Sequence, residues 1–278
     1  MIFDHLVYVK PSLLACSLTC YSWYIAAVPH LHHTLIVPPG SLSQGEKSRS
    51  PKVLLRNHEL GLLPLVKVLW ICGNSSTHVE LPQKLSNRYT LRPFFALSNV
   101  CQLEIEYLDI PSFMPRIRRY FGHFMPTLRY LILEAPKGSN RQIVYFIGLF
   151  QHLDDLKLVR ARAEPKEEPT DDLTLIPPFV PPLRGWLILV YFTRVGILKD
   201  MIDLFGGIRF RCMRFCNVNG IGLLLNACAE TLELVDGYPT DHHGTEVSLG
   251  LHPWLTTSQL VPPTEALTFR ETNRFRHS

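Results

Sequence analysis

Residues 128–133 read Leu128-Arg129-Tyr130-Leu131-Ile132-Leu133, and the same spacing of leucines recurs 25 residues later in Leu153-Asp154-Asp155-Leu156-Lys157-Leu158. In each stretch one residue separates the last two leucines, so their side chains lie on the same face of an extended strand. A single strand of this kind cannot bury its leucines, whereas stacked strands share one core. The spacing therefore predicts a row of short strands around a common interior.

Variants of the pattern extend in both directions along the chain. They are Leu65-x-x-Val68-x-Trp70, Val100-x-x-Leu103-x-Ile105, Leu183-x-x-x-Leu187-x-Leu189, Phe210-x-x-Met213-x-Phe215 and Leu232-x-Leu234. Helix-like segments lie between the predicted strands, at 112–124, 139–151, 196–205 and 219–229. Strands that alternate with helices at this spacing predict an irregular leucine-rich-repeat solenoid with a parallel sheet of about seven strands. The alternative is an ordinary α/β domain whose strands are rich in leucine.

A different pattern precedes the repeats. The stretch from Pro11 to Trp23 is short, apolar and helical in period, and Thr34–Val37 after it has an extended pattern. We predict a small helical hairpin over residues 1–36 that another protein binds. Residues 37–52 are rich in Ser, Gly and Pro and are predicted to be a linker. The repeat array then covers 53–240, and an irregular tail covers 241–278.

Composition limits the class of protein. Apolar residues make up 46% of the 278 residues, enough for a sizeable core, and the net charge of +4 is too small to predict a nucleic-acid partner. The seven cysteines are an odd number and most lie in apolar runs, which predicts free thiols in the core and a cytoplasmic or nuclear location. No apolar run is long enough to predict a membrane span.

The chain carries no motif of a catalytic centre. It has no Gly-x-Ser-x-Gly turn, no phosphate-binding Gly-Lys-Ser/Thr loop and no His-Glu-x-x-His helix. Cys16 and Cys20 precede His30 and His33 at spacings too short for a tetrahedral zinc site. We therefore predict a protein that is not an enzyme and has neither a metal nor a cofactor.

Ser17-Leu18-x-Cys20-x-x-Trp23, with the later His30-Leu31, resembles the second half of an F-box. Together with the irregular repeats, the chain is similar to fungal F-box proteins with degenerate leucine-rich repeats. The resemblance implies a non-catalytic substrate-recognition subunit of a Skp–cullin–F-box ubiquitin ligase, which binds a Skp-type adaptor through the F-box and a protein target through the repeats. By position in the motif, the adaptor-facing candidates are Leu14, Ser17, Leu18, Cys20, Trp23 and Leu31. The alternative role of each is packing within the hairpin.

The sequence departs from the family at its beginning. An F-box opens with a Leu-Pro pair and a first helix upstream of the position of Ile2, and Met1 lies near the end of that helix. Binding energy concentrates in a few anchor residues, so the expectation for this sequence is weak or no adaptor binding. Two explanations are open from the sequence: the chain begins downstream of the true start, or the protein has lost ligase docking. In the second case the alternative function is a stand-alone leucine-repeat scaffold.

The residues between the patterned leucines are predicted to form an exposed face. Among them Tyr130, Trp186 and Arg214 are of the types enriched at binding hot spots, and we predict that they form the centre of the site for the protein target. The alternative is that the proline-rich acidic loop at 164–182 covers them. The predicted face consists of Lys67, Leu69, Ile71, Gln102, Glu104, Glu106, Tyr130, Ile132, Glu134, Asp155, Lys157, Val159, Trp186, Ile188, Val190, Cys212, Arg214 and Cys216.

Overall fold

The computed structural model describes residues 9–37, 56–73, 94–114, 117–161, 175–218 and 221–238. The strands are β1 (Thr34–Val37), β2 (Val68–Ile71), β3 (Gln102–Glu106), β4 (Tyr130–Glu134), β5 (Asp155–Val159), β6 (Trp186–Phe192), β7 (Cys212–Val218) and β8 (Leu234–Tyr238). The helices are α1 (Lys10–Ser17), α2 (Tyr21–Leu31), α3 (Ile110–Phe113), α4 (Ile117–Phe121), α5 (Asn140–Ile147), α6 (Val195–Phe205) and α7 (Ile221–Ala227), with a 3-10 turn at Leu63–Leu65. The predicted linker after residue 37, the predicted tail and part of the loop at 164–182 lie outside the described residues.

The strands form one eight-stranded sheet in which every strand lies beside its neighbours in sequence and pairs with them in parallel. This confirms the prediction of a mixed α/β protein with a parallel sheet. The pairing aligns the patterned residues in rows, and one buried row runs through Leu69, Leu103, Leu131 and Leu156. Full burial of each such side chain stabilises the fold by about 1.5–3 kcal/mol.

The prediction placed the wrong face of β2 inward. Val68 and Trp70 were assigned to the core, but Leu69 and Ile71 are buried and pair with Leu103 and Ile105. The four residues of β2 are all apolar, so alternation within the strand could not decide its face. Pairing with β3 decides it, because a slip of one residue would turn every side chain to the other side.

The prediction has the same error in β8. There Leu234 pairs with Cys212 in the outward row, and the buried residue is Val235, which pairs with Met213. The apolar pair Leu234-Val235 leaves the face ambiguous from sequence for the same reason as in β2.

Helices α5 and α6 pack on the buried face of the sheet, where Ile143, Val144 and Leu198 belong to the main hydrophobic cluster. Helix α5 begins with a capping box, in which the Ser139 side chain accepts the Gln142 backbone N–H and the Gln142 side chain accepts that of Ser139. Helix α6 ends at Gly206 in the left-handed conformation, with φ +68°.

Each of four successive strands brings a non-glycine residue to positive φ at the equivalent position near its carboxyl end. These residues are Tyr107, Ala135, Arg160 and Tyr191, with φ between 47° and 52°. The backbone N–H of the first three donates to the next strand, to Glu134, Val159 and Val190 at 2.7–2.8 Å. The left-handed conformation turns the chain from the strand without interrupting the hydrogen bonding between strands.

Helices α1 and α2 form a hairpin with its own small interior, in which Leu13 and Ala27 are fully buried. Neither belongs to the main cluster of the described residues, which begins at Leu35. After α2 the chain enters β1, which confirms the extended prediction for Thr34–Val37. No helix in the described part of the chain is both long and apolar enough to cross a membrane.

All seven cysteines have free thiols, as predicted, and Cys228 is buried, with its Sγ 3.5 Å from the carbonyl oxygen of Ile208. Cys212 and Cys216 lie on the outward side of β7, where the strand pattern placed them. The prediction that the thiols fill the core is wrong for the remaining four, which are partly or fully exposed: Cys16, Cys20, Cys72 and Cys101.

Candidate protein-binding surfaces

The hairpin exposes a set of large apolar side chains, which we call the hairpin surface. Leu14 and Leu18 lie one turn apart and are 54% and 80% exposed. On α2, the spacing of Tyr21, Tyr24 and Ile25 places them on one face, and all three are about half exposed or more. Isolated exposed apolar residues are ordinary, whereas a concentration of them marks an interaction site. The hairpin surface consists of Leu14, Leu18, Tyr21, Trp23, Tyr24 and Ile25.

The six predicted adaptor-facing residues have different environments. Leu14, Leu18, Cys20 and Trp23 are exposed and therefore accessible to a partner. Leu31 is partly buried.

Ser17, in contrast, is buried, and its Oγ donates to the carbonyl oxygen of Leu14 at 2.7 Å. This residue therefore packs within the hairpin, the alternative role that the sequence left open. Sequence reasoning missed Tyr21, Tyr24 and Ile25, because 21–28 is almost continuously apolar and does not reveal which face stays uncovered.

The second surface is the outward side of the sheet, which we call the sheet face. Strand register places one residue of every strand in a single row across it, and strands lie about 4.8 Å apart. The row consists of Ile36, Trp70, Glu104, Ile132, Lys157, Ile188, Arg214 and Asp236.

Three residues predicted to be exposed on this face are buried. Leu69 and Ile71 point into the core, as the register of β2 requires. Ile132 does occupy the outward row but is only 2% exposed. Its neighbours in that row are the longer side chains of Glu104 and Lys157, so the outward position does not make this shorter apolar side chain accessible.

Two of the three predicted target-binding residues contact each other. The Arg214 guanidinium carbon lies 5.5 Å from the centroid of the Trp186 ring, within the range of a cation–π interaction. Arg214 Nε also donates to Asp236 Oδ2 at 2.6 Å. Sequence reasoning missed Asp236, because it assigned β8 to the wrong face.

Tyr130 does not join this contact. Tyr130 of β4 and Trp186 of β6 lie at the same level of the sheet, and Asp155 of β5 lies between them. Their backbones are therefore two strand spacings, or about 10 Å, apart. Asp155 Oδ1 accepts the backbone N–H of Trp186 at 2.5 Å and so helps to fix the start of β6.

The opposite part of the sheet face is acidic. Glu106 Oε1 accepts a hydrogen bond from Trp70 Nε1 at 3.1 Å, which orients the indole on the surface. Burial, and after it the negative charges of Glu106 and Glu104, raise the pKa of the Cys72 thiol to about 12. Two carboxylates and an indole therefore lie together at this end.

The described part of the proline-rich loop contacts the helices. The Phe179 N–H donates to the Gly148 carbonyl oxygen at the end of α5 at 3.1 Å, and the Leu183 N–H donates to Leu153 at 3.0 Å. Residues 175–182 thus run along the side opposite the sheet face. Residues 164–174 lie outside the described part, so the alternative that they cover the face stays open.

Within the described ranges, no group of three or more His, Cys, Asp or Glu side chains is arranged to hold a metal ion. The two surfaces offer apolar contact, charge and aromatic rings, which are means of recognition. Comparison of the chain with protein-family models, curated proteins and solved structures gives no match.

Proposed function

We propose that this chain is a non-catalytic substrate-recognition subunit of a Skp–cullin–F-box ubiquitin ligase. In this proposal the α1–α2 hairpin is part of an F-box and docks on a Skp-type adaptor. The strands β1–β8 and their helices act as an irregular leucine-rich-repeat solenoid whose sheet face binds a protein target. The observation that carries the proposal is the hairpin surface.

The hairpin surface supports docking because the hairpin leaves much of its apolar area uncovered. Leu13, Ser17 and Ala27 are buried in the hairpin, while Leu18 and Tyr21 are about four-fifths exposed. Burying a large apolar side chain against a partner is worth about 1.5–3 kcal/mol before the costs of association. A few such residues are enough to anchor an interface.

The connection between the two surfaces also supports a receptor. Only His32 and His33 separate α2 from β1. The carbonyl oxygen of His33 accepts the backbone N–H groups of Lys67 and Val68 at 2.9 and 3.0 Å, so the connection is tied to β2. An adaptor bound to the hairpin would therefore be held near one end of the sheet, and a target on the sheet face would be held close to the ligase.

Adaptor binding tests the proposal directly. A purified Skp-type adaptor is immobilised, and binding of the full chain is compared with that of the double variant Leu18→Ser, Trp23→Ser. We expect weak binding by the unchanged chain and at least tenfold weaker binding by the variant, because two exposed apolar anchors are removed. Thermal unfolding must show that the variant is folded, because Leu18 is 80% exposed but Trp23 only 44%.

The matched control is Ile176→Ser with Leu223→Ser, which also removes two exposed apolar side chains but far from the hairpin in the fold. It should bind the adaptor as the unchanged chain does. Equal binding by the hairpin variant would contradict docking through the hairpin surface.

The second candidate function is a stand-alone leucine-repeat scaffold without ligase docking. It is favoured by Ser17, an adaptor-facing candidate that is instead buried within the hairpin. Absence of adaptor binding, together with retained binding of a target on the sheet face, would establish the scaffold in place of the ligase subunit.

A further inference from the structure

Formal charge is unevenly distributed across the sheet face. The outward positions of β3 and β4 carry three carboxylates, Glu104, Glu106 and Glu134, and no Lys or Arg. One end of the face is therefore negative.

The strands β5–β7 carry the opposite sign. Their outward positions, with Arg160 at the end of β5, bring three cations and one carboxylate: Lys157, Arg160, Arg214 and Asp155. Asp236 of β8 adds a second carboxylate beside Arg214. The outward positions of β3 and β4 thus carry carboxylates without cations, whereas the cations of the face lie on β5–β7.

The ion pairs on the face leave the cations accessible. In the pair of Arg160 with Glu134, the arginine side chain is 38% exposed and the carboxylate 15%. In the pair of Arg214 with Asp236, the values are 46% and 26%. Arg214 uses Nε for its bond to Asp236. Because guanidinium carries five N–H donors, a second carboxylate can bind without displacing the first.

The negative end also offers an aromatic surface. Trp70 pairs in register with Glu104, and its indole donates to Glu106. A Lys or Arg side chain placed there would meet carboxylates and an indole ring together, and both attract a cation. The raised pKa of the nearby Cys72 thiol has burial as its largest cause and the charges of Glu106 and Glu104 next, which agrees with a negative potential there.

The distance between the two ends sets the length of a ligand. The negative end, at Trp70, Glu104 and Glu106, is centred between β2 and β3, and Arg160 and Arg214 are centred on β6. These centres are three and a half strand spacings apart, or about 17 Å. An extended peptide rises about 3.3 Å per residue, so about five residues span this distance.

We propose that the sheet face binds an extended segment of a target protein that carries a basic and an acidic residue about five positions apart. The basic residue lies over Trp70, Glu104 and Glu106, and the acidic residue lies over Arg160 and Arg214. This inference rests on the proposed target-binding role of the sheet face and specifies the chemistry of the target.

A library of random dodecapeptides displayed on phage and selected on the full chain tests the proposal. We expect the selected peptides to be enriched in a Lys or Arg separated from an Asp or Glu by about five positions. Synthetic forms of these peptides should bind the variant Glu104→Gln, Glu106→Gln at least tenfold more weakly than the unchanged chain, because one of the two charged contacts is lost.

The control variant Asp203→Gln, Glu230→Gln makes the same change of charge at two exposed carboxylates away from the sheet face. It should bind the peptides as the unchanged chain does, and thermal unfolding shows whether both variants are folded. Should the glutamine variant at 104 and 106 fail to fold, Arg214→Gln tests the other end of the same site. Selected peptides without the charge pair, no enrichment, or equal binding to folded sheet-face and control variants would overturn the proposal.

The outcome is separable from adaptor docking. The selected peptides should bind the variant Leu18→Ser, Trp23→Ser normally, and loss of binding there would move the peptide site to the hairpin and overturn this inference. Failure of peptide selection beside intact adaptor binding would refute the charged-segment target and leave the ligase role standing. Successful selection without adaptor binding would keep this inference and favour the scaffold.

Discussion

Gly73 shows how closely neighbouring strands approach at their carboxyl ends. It lies two residues after the end of β2, and a Cβ atom at this position would overlap the backbone carbonyl oxygen of Glu106. A backbone carbonyl cannot rotate away as a side chain can. The absence of a side chain therefore permits the contact between β2 and the residues after β3, beside the acidic end of the sheet face.

We therefore expect Gly73→Ala to lower the free energy of unfolding by about 1–3 kcal/mol, the usual cost of overpacking. Urea denaturation measures the change. The matched substitution is Gly222→Ala in α7, where a Cβ would have no atom within 4 Å. Alanine is there the better helix former, and the control should be neutral or more stable by up to about 1 kcal/mol. Similar stability of the two variants would contradict the close approach at Gly73.

Among the elements, α5 has the most fully specified beginning. The Ser139 side chain accepts the Gln142 backbone N–H at 3.1 Å, and Gln142 Oε1 accepts that of Ser139 at 3.0 Å. Both donors belong to the first turn, which has no helical acceptors for them. The buried residues of α5, Ile143 and Phe146 among them, then enter the core in a fixed orientation.

Ser139→Ala should lower the free energy of unfolding by about 1 kcal/mol, because the cap is lost and the helix-start donor is left without its partner. The comparison is Ser112→Ala, which removes an exposed hydroxyl that donates to Asp109 Oδ2 at 2.8 Å. This control should change stability by less than about 0.5 kcal/mol. A drop of the same size in both variants would show that the capping box contributes nothing specific.

Elements differed in how well the sequence predicted them. In β5 the charged residue Lys157 separates Leu156 and Leu158. In β4 the polar residues Tyr130 and Glu134 flank the stretch that contains its two leucines. The patterned leucines of both strands are buried as predicted. In β2 every residue is apolar, so the sequence predicted the strand but not which of its two faces is buried. The hairpin was predicted as helical, but its exposed face was not, because apolar residues occur on all sides of α2.

In the whole molecule, the order of strands in space repeats their order in sequence. Strands β2–β7 each pair on both sides, whereas β1 and β8 pair on one side among the described residues. Local opening depends on the contacts that must be broken, so the ends of such a sheet open more readily than its centre.

We expect backbone amide hydrogen exchange, followed by mass spectrometry, to be slowest in β4 and β5 and fastest in β8. Strand β8 is paired on one side among the described residues, and of its side chains that the structure describes, Val235 is buried while Leu234 and Asp236 are partly exposed. Exchange in β8 as slow as in β5 would contradict a stability that decreases towards the edge.

The parallel sheet was predictable at this scale because the spacing of Leu131, Leu133, Leu156 and Leu158 is repeated, and repetition implies neighbours of the same kind. The candidate sites were predictable only in part. Trp186 and Arg214 were found by residue type, but their contact with each other and with Asp236 depends on register between strands. Register is a property of pairs of strands, and a single strand's sequence does not contain it.

Leu128 and Leu153 occupy equivalent positions before the neighbouring strands β4 and β5. Residues 128–152 therefore form one unit, which contains β4 and α5. A tandem copy of this stretch would begin and end at equivalent positions of the backbone. Its strand would pair with strands of the same register and the same buried leucines. Such a duplication would lengthen the molecule by one strand, about 4.8 Å, without altering any existing connection. The sheet can thus grow by one strand and its helix at a time, while the other strands keep their contacts.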